Sequence, residues 1–140
     1  MPGNLDLVRS LYADWARGDW SSTEWAHPEI QFVLADGPSP GTWTGLGRMA
    51  EAMRDFLSAW EDYRAEVEEY RELDGERVLV LVRYRGRGKI SGLEVEQMRA
   101  KGATLLHIRG GKVTRLVRYL DRERALADLD LPSETDSQRS

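Results

Sequence analysis

From Arg77 to Leu120 the chain is three long apolar runs separated by glycine turns. They read RVLVLVRYRGRG, LEVEQMRAKGATLLHIR and KVTRLVRYL, broken at GKISG and at Gly110-Gly111. Runs of Val, Leu and Ile punctuated in this way predict an antiparallel meander. With Gly110-Gly111 as a two-residue turn, Arg109 lies opposite Lys112. His107 then falls opposite Thr114, Leu105 opposite Leu116 and Ala103 opposite Arg118, all on one face. Leu106, Ile108, Val113 and Val117 fall on the other. Both faces are largely apolar, so both need cover, one from helices and one from a second subunit.

The rest of the chain supplies those helices. Asn4 is placed to cap a helix running to about Ala16, with Leu5, Val8, Leu11, Tyr12 and Trp15 as its apolar stripe. Ser21 to Trp25 reads as a short second helix, ended by His27-Pro28. Ile30 to Leu34 reads as a short strand, and Ala35 to Gly41 as a loop rich in proline and glycine. A helix from about Leu46 to Trp60 buries Met49, Met53, Phe56, Leu57 and Trp60. Tyr63 to Leu73 is a strand in which Val67 and Tyr70 share a face only if a bulge intervenes near Glu68-Glu69. Asp74-Gly75 marks a hairpin. Asp121 caps a short terminal helix, and residues 132–140 form a polar, disordered tail.

Helices beside an antiparallel sheet make an α+β fold. A curved sheet wrapped around the N-terminal helices makes a cone-shaped barrel whose open end is an apolar pocket. One domain over residues 1–131 accounts for the pattern. The chain has 140 residues, 41% hydrophobic and 31% charged, and a net charge of −4, which gives no general attraction to nucleic acid or to anionic membrane. It has no cysteine and two histidines, so neither thiol chemistry nor a histidine-rich metal site is expected, and no cofactor is implied. No apolar run is long enough to span a membrane, and MPGNLDLVRS lacks the regions of a signal peptide; a cytoplasmic protein is expected. GRGK at Gly86 to Lys89 lacks the GxxxxGK[ST] spacing of a phosphate loop, and the basic ridge Arg83, Arg85, Arg87 and Lys89 is offset by acids nearby.

Segments in order along the chain carry a resemblance. LYADWARGDW, HPEIQF, GTWTGLGRMAEAMRDFL, GRGKISGLEVE and IRGGKVTRLVRYLDRERAL together resemble the nuclear transport factor 2-like superfamily, in its SnoaL-like branch. The resemblance implies a cone, a small-molecule ligand and a homodimer through the outer face of the sheet. The family includes ketosteroid isomerases, epoxide hydrolases, polyketide cyclases and non-catalytic binding proteins. The isomerase pattern uses a tyrosine where this chain has Leu11, an aspartate base where it has Leu34, and a protonated acid where it has Thr104 or Leu105. The hydrolase pattern uses an aspartate where it has Arg118, which cannot act as a base at neutral pH. Neither pattern carries over.

The candidates left are few. Arg118 serves either as half of an ion pair at the pocket mouth or as a clamp for an anionic or carbonyl group. His107 serves either as a hydrogen-bonded structural residue or as a general base. Asp36, the only acid near the pocket mouth after the first strand, serves either as a turn residue or as a base. His27, before a proline, reads as structural. Leu11, Trp15, Phe32, Leu34, Trp43, Phe56, Trp60, Val82, Tyr84, Leu105 and Leu116 are expected on the pocket wall. Glu94 and Glu96 are placed to pair with Arg83 or Arg85. The two functional expectations are a small-molecule pocket protein, or an enzyme of the cyclase, isomerase or hydrolase type that uses His107 or Asp36 with Arg118.

Overall fold

The computed structural model describes residues 3–17, 24–36, 40–58, 60–88 and 97–131; within these, the side chains of 56–58, 60–65, 85–88 and 97–100 are not described. In order, the elements are α1 (Asn4–Ala16), β1 (Ala26–Leu34), β2 (Gly41–Thr44), α2 (Leu46–Ser58), β3 (Trp60–Glu72), β4 (Arg77–Gly88), β5 (Gln97–Arg109), β6 (Lys112–Tyr119) and α3 (Arg122–Asp128). The Ser21–Trp25 helix, the Glu94 and Glu96 pairs and the tail fall outside the described residues, except that Glu24 and Trp25 form a turn. The helix expected to reach Trp60 stops at Ser58, and Trp60 opens β3. Ala26 to Glu29, including His27-Pro28, belong to β1 rather than preceding it. His27 is exposed, and its Nδ1 accepts from the Glu29 N–H at 3.0 Å.

The six strands form one sheet in the order β2-β1-β6-β5-β4-β3. The α+β architecture with the sheet against the N-terminal helices is as expected, but the sheet is not closed and is mixed rather than purely antiparallel, because β1 runs parallel to β6 while every other pair is antiparallel. A period of two looks the same in parallel and antiparallel strands, so alternation alone does not carry that information.

Two local features set the faces. Gly110 and Gly111 both have positive φ, 59° and 76°, as a type I′ turn demands, and Arg109 pairs with Lys112. The register then slips between His107 and Ile108, because Thr114 is an extra residue in β6. Its Oγ1 donates to the His107 carbonyl at 3.3 Å. Beyond this bulge the partners become His107 with Arg115, Leu106 with Leu116, Leu105 with Val117 and Thr104 with Arg118. The uninterrupted register expected from the turn is therefore corrected by one residue. Leu106, Ile108 and Val113 turn inward, toward the helices, while Leu105, Ala103 and His107 turn outward. The second bulge sits at Glu68, where Val67 pairs with Val82 and Glu69 with Leu81, and it brings Val67 and Tyr70 to one face as their spacing requires.

The inner core joins α1 and α2 to the sheet. Val8, Leu11, Tyr12, Trp15, Met49, Ala52 and Met53 pack on Ile30, Phe32, Val78, Val80, Val82, Leu106, Ile108, Val113 and Leu116. The outer core is smaller. Leu79, Leu81, Ala103, Leu105, Val117 and Tyr119 are buried beneath Ala125 and Leu126 of α3. The outer apolar face is thus covered by α3 of the same chain. Asp121 caps α3 as expected, accepting from the Glu123 N–H at 3.1 Å. Asn4 does not cap α1. It is the first helical residue, after Gly3, and its Nδ2 donates to the Gly75 carbonyl at 2.8 Å, tying the helix to the β3–β4 turn.

Leu116 is fully buried on the inner face between Phe32 and Leu106. Leu116→Ala is expected to lower stability by about 2–5 kcal/mol in urea denaturation, with the slope of the transition unchanged.

Candidate ligand site

Where the sheet leaves the β5–β6 turn behind, its inner face changes from aliphatic to polar. Leu34 of β1 pairs with Arg118 of β6, and Arg118 pairs with Thr104 of β5. Three adjacent strands therefore line up the three sheet positions where the family resemblance looks for catalytic groups. Thr104, not Leu105, takes the inner place, and the bulge at Thr114 puts Arg118 on the same face as Thr104.

Arg118 is 3% exposed, and its guanidinium carbon lies 5.8 Å from the centre of the Phe32 ring. An aromatic face is a favourable partner for a desolvated cation. Thr104 is 1% exposed, and its hydroxyl is 3.5 Å from the Tyr84 hydroxyl. Burial raises the Tyr84 phenol above its ordinary value, and the Arg118 charge offsets only part of that rise. Tyr84 is therefore a protonated donor at neutral pH. Its ring lies over Gly102, where an added Cβ would sit 2.2 Å from Tyr84 Cε2 and 2.4 Å from the Tyr119 carbonyl oxygen. Glycine is the residue that permits this approach. Trp43 of the edge strand β2 continues the aromatic wall, with its ring centre 6.0 Å from that of Phe32.

The other expected pocket residues divide. Val82 and Leu116 lie on the inner face. Leu11 and Trp15 are buried in α1, but Trp15 makes edge contacts with Tyr12 and Trp25, whose turn abuts Val113 near the opposite end of the sheet. The side chains of Phe56 and Trp60 are outside the described set. Leu105 is corrected, since it packs in the outer core beneath α3.

Neither proposed acid–base residue joins the row. His107 is half-buried on the outer face between Arg77 and Arg115, its partners on β4 and β6. Burial, then the charges of Arg115 and Arg77, lower its pKa, against weaker opposition from Asp74 and Glu76. A sheet separates it from Arg118. Asp36 follows β1, but its two carboxylate oxygens accept from the backbone N–H groups of Leu120 (2.6 Å) and Asp121 (3.1 Å). It is the turn residue of the two alternatives, holding the exit of β6 against the exit of β1. Among the described residues no three His, Asp or Glu gather where they could share a metal ion.

The row thus offers a fixed positive charge, two hydroxyls and an aromatic wall. Such a set polarises or binds oxygen, and among the described side chains the row contains no base. The signal for Gly102 and Thr104 was in the sequence. A glycine inside an apolar strand marks a close approach, and its even-numbered neighbours then share the Tyr84 face.

An open sheet with two helices on one face and polar groups at one end of that face is an α+β architecture. The SnoaL-like domain profile matches residues 8–116, and the chain belongs to that family. Comparison with curated protein sequences gives no match. Solved structures share the fold at low identity. An NTF2-like protein of unknown function from Burkholderia pseudomallei superposes with a TM-score of 0.75 at 20% identity, over 91% of this chain and 97% of that one. A protein with a ketosteroid isomerase-like fold from Catenulispora acidiphila, in complex with trimethylamine, gives 0.67 at 18% identity, over 94% and 96%. TerC, co-crystallised with polyporic acid, gives 0.66 at 21% identity, over 91% and 96%. No helix among the described residues is long and apolar enough to cross a membrane.

His107 provides a test of its placement. Its pKa in the folded chain lies below the ordinary 6.5, so in that window the unfolded chain binds more protons. Stability is then lost as pH falls from 6.5 toward the depressed value. Thermal unfolding of wild type and His107→Asn is expected to diverge between about pH 7 and about pH 5, with the wild type losing more.

Proposed function

We propose that the protein is a small-molecule pocket protein that holds an anionic or carbonyl oxygen of an otherwise apolar ligand against Arg118. The supporting observation is the position of Arg118, 3% exposed and in line with Leu34 and Thr104 on the helix side of the sheet. A guanidinium keeps its charge at any physiological pH and presents several donors in a plane. In an apolar interior such a charge favours a carboxylate, an enolate or a polarised carbonyl over a hydrocarbon. Thr104 and Tyr84 add hydroxyls from the neighbouring strands. Phe32, Trp43 and Leu34 supply the apolar wall.

The enzyme reading that used His107 or Asp36 finds no support in this arrangement. His107 is on the wrong face, and both oxygens of Asp36 are engaged by backbone N–H groups. Binding without turnover is the simpler use of a row of donors.

Arg118→Met keeps most of the side-chain volume and removes the charge. In a thermal-shift screen of carboxylates and enolisable carbonyls, the wild type is expected to respond to a subset. Arg118→Met should lose that subset, with binding about 10- to 100-fold weaker, while the protein stays folded. Equal responses from both proteins would refute the clamp.

The homodimer implied by the family resemblance no longer has the patch on which it was argued. Leu106, Ile108 and Val113 face the helices, and α3 covers Leu79, Leu81, Leu105 and Val117. Light scattering at micromolar concentration tests that assembly: twice the chain mass supports a homodimer through the outer sheet face, and the mass of a monomer counts against it.

A further inference from the structure

Outside the sheet, directly behind the candidate site, a second buried arginine does something specific. Arg122, the first residue of α3, is 4% exposed. Its Nε donates to the Gly102 carbonyl at 3.1 Å, and its Nη2 donates to the Val82 carbonyl at 2.8 Å and to Glu68 Oε1 at 2.5 Å. Val82 and Gly102 are partners across β4 and β5, so one guanidinium bridges the two strands from the outer side. On the inner side, the same Gly102 lies under the Tyr84 ring with no room for a methyl group. Two residues further along each strand stand Tyr84 and Thr104, whose hydroxyls are 3.5 Å apart.

We infer that Arg122 is a positioning residue for the ligand site, fixing through the sheet the height and tilt of the Tyr84 ring over Gly102 and so the place of its hydroxyl. It touches no ligand and acts through the two carbonyls it holds. The physical basis is that a guanidinium fork is planar and rigid, and it fixes the separation of the two acceptors it bridges. Gly102 has no side chain to buffer a shift, so displacement of its backbone is passed directly to the ring. The bulge at Glu68 completes the device. Glu68 approaches Arg122 and, at 3.4 Å, Arg83 of β4, and its carboxylate is held below the usual range chiefly by the bond from Arg122. Groups that carry a site are precise only when the residues behind them are locked in turn. This coupling presupposes the ligand site proposed above, but it is tested on Tyr84 itself and needs no ligand.

The test uses the full chain with tyrosine rings labelled with ¹³C and no added ligand, and the Tyr84 ring signal is assigned by its absence in Tyr84→Phe. Arg122→Lys retains a charge for Glu68 but loses the fork across Val82 and Gly102. Leu126→Ala loosens α3 through its apolar contact without touching either carbonyl. The expected result is a displaced or broadened Tyr84 signal in Arg122→Lys, with Tyr119 as the outer-face reference in the same spectra, and an unmoved Tyr84 signal in Leu126→Ala. Arg122→Ala should repeat the Lys result where it folds; where it does not, Arg122→Lys decides. An unchanged Tyr84 signal in folded Arg122→Lys would overturn the inference. So would an equal displacement in Leu126→Ala, because α3 docking in general, and not the fork, would then be what the ring senses. Loss of ligand responses in Arg118→Met with no Tyr84 effect in Arg122→Lys would retain the pocket and discard the coupling.

Discussion

Side chains alternate along a strand, so inserting one residue exchanges the faces of everything beyond it. In this protein the extra residue is Thr114, and most of the architecture follows from it. Before the bulge, Val113 faces the helices; after it, Leu116 and Arg118 do. Without it, Leu116 and Arg118 would turn away from α1 and α2 while Val117 took their place. The bulge at Glu68 has the same effect on the other side of the sheet, returning Tyr70 to the face of Val67 and presenting Glu68 to α3. Bulges at these points let one sheet serve two cores.

The two cores treat a buried cation in different ways. Outside, Arg122 meets two strand carbonyls and a carboxylate, an arrangement that anchors α3 where its Ala125 and Leu126 seal Leu79, Leu81, Leu105 and Val117. Inside, Arg118 is stacked on Phe32 and stands beside hydroxyl groups. Taking a guanidinium out of water costs several kcal/mol on general grounds. The outer arginine recovers this in bonds that join three elements of the fold. The inner arginine stands on the helix side of the sheet beside Phe32 and Thr104, where the ligand proposed above would meet it.

Asp36 shows why residue type alone misleads at such a site. It lies two residues after the position where the family resemblance looks for a base. Its carboxylate instead closes the last turn of the domain, accepting from Leu120 and Asp121 where β6 hands over to α3. Asp121 in turn caps α3, so two acids in succession fix the helix that covers the outer face. A loop acid beside glycines and prolines is well suited to this work, because backbone N–H groups at a strand exit need acceptors.

Much of this was fixed by local chemistry and is legible along the chain. The glycine pair could form only a tight turn with positive φ, and it does. The spacing of Val67 and Tyr70 demanded a bulge, and the helix stripes placed Val8, Leu11, Met49 and Met53 in the core. Asp121 before an apolar helical run could be read as a cap. What the tertiary structure decided is where strands that look alike were put. The parallel pairing of β1 with β6 depends on contacts between residues some eighty positions apart, and strand period is blind to it. The slip at Thr114 leaves no mark in the alternation, because both faces of β5 and β6 are apolar and either register buries the same kinds of side chain. Burial energy is nearly the same for the two, so only the packing of α1, α2 and α3 on opposite sides settles that Arg118 points inward with Thr104 while His107 points out.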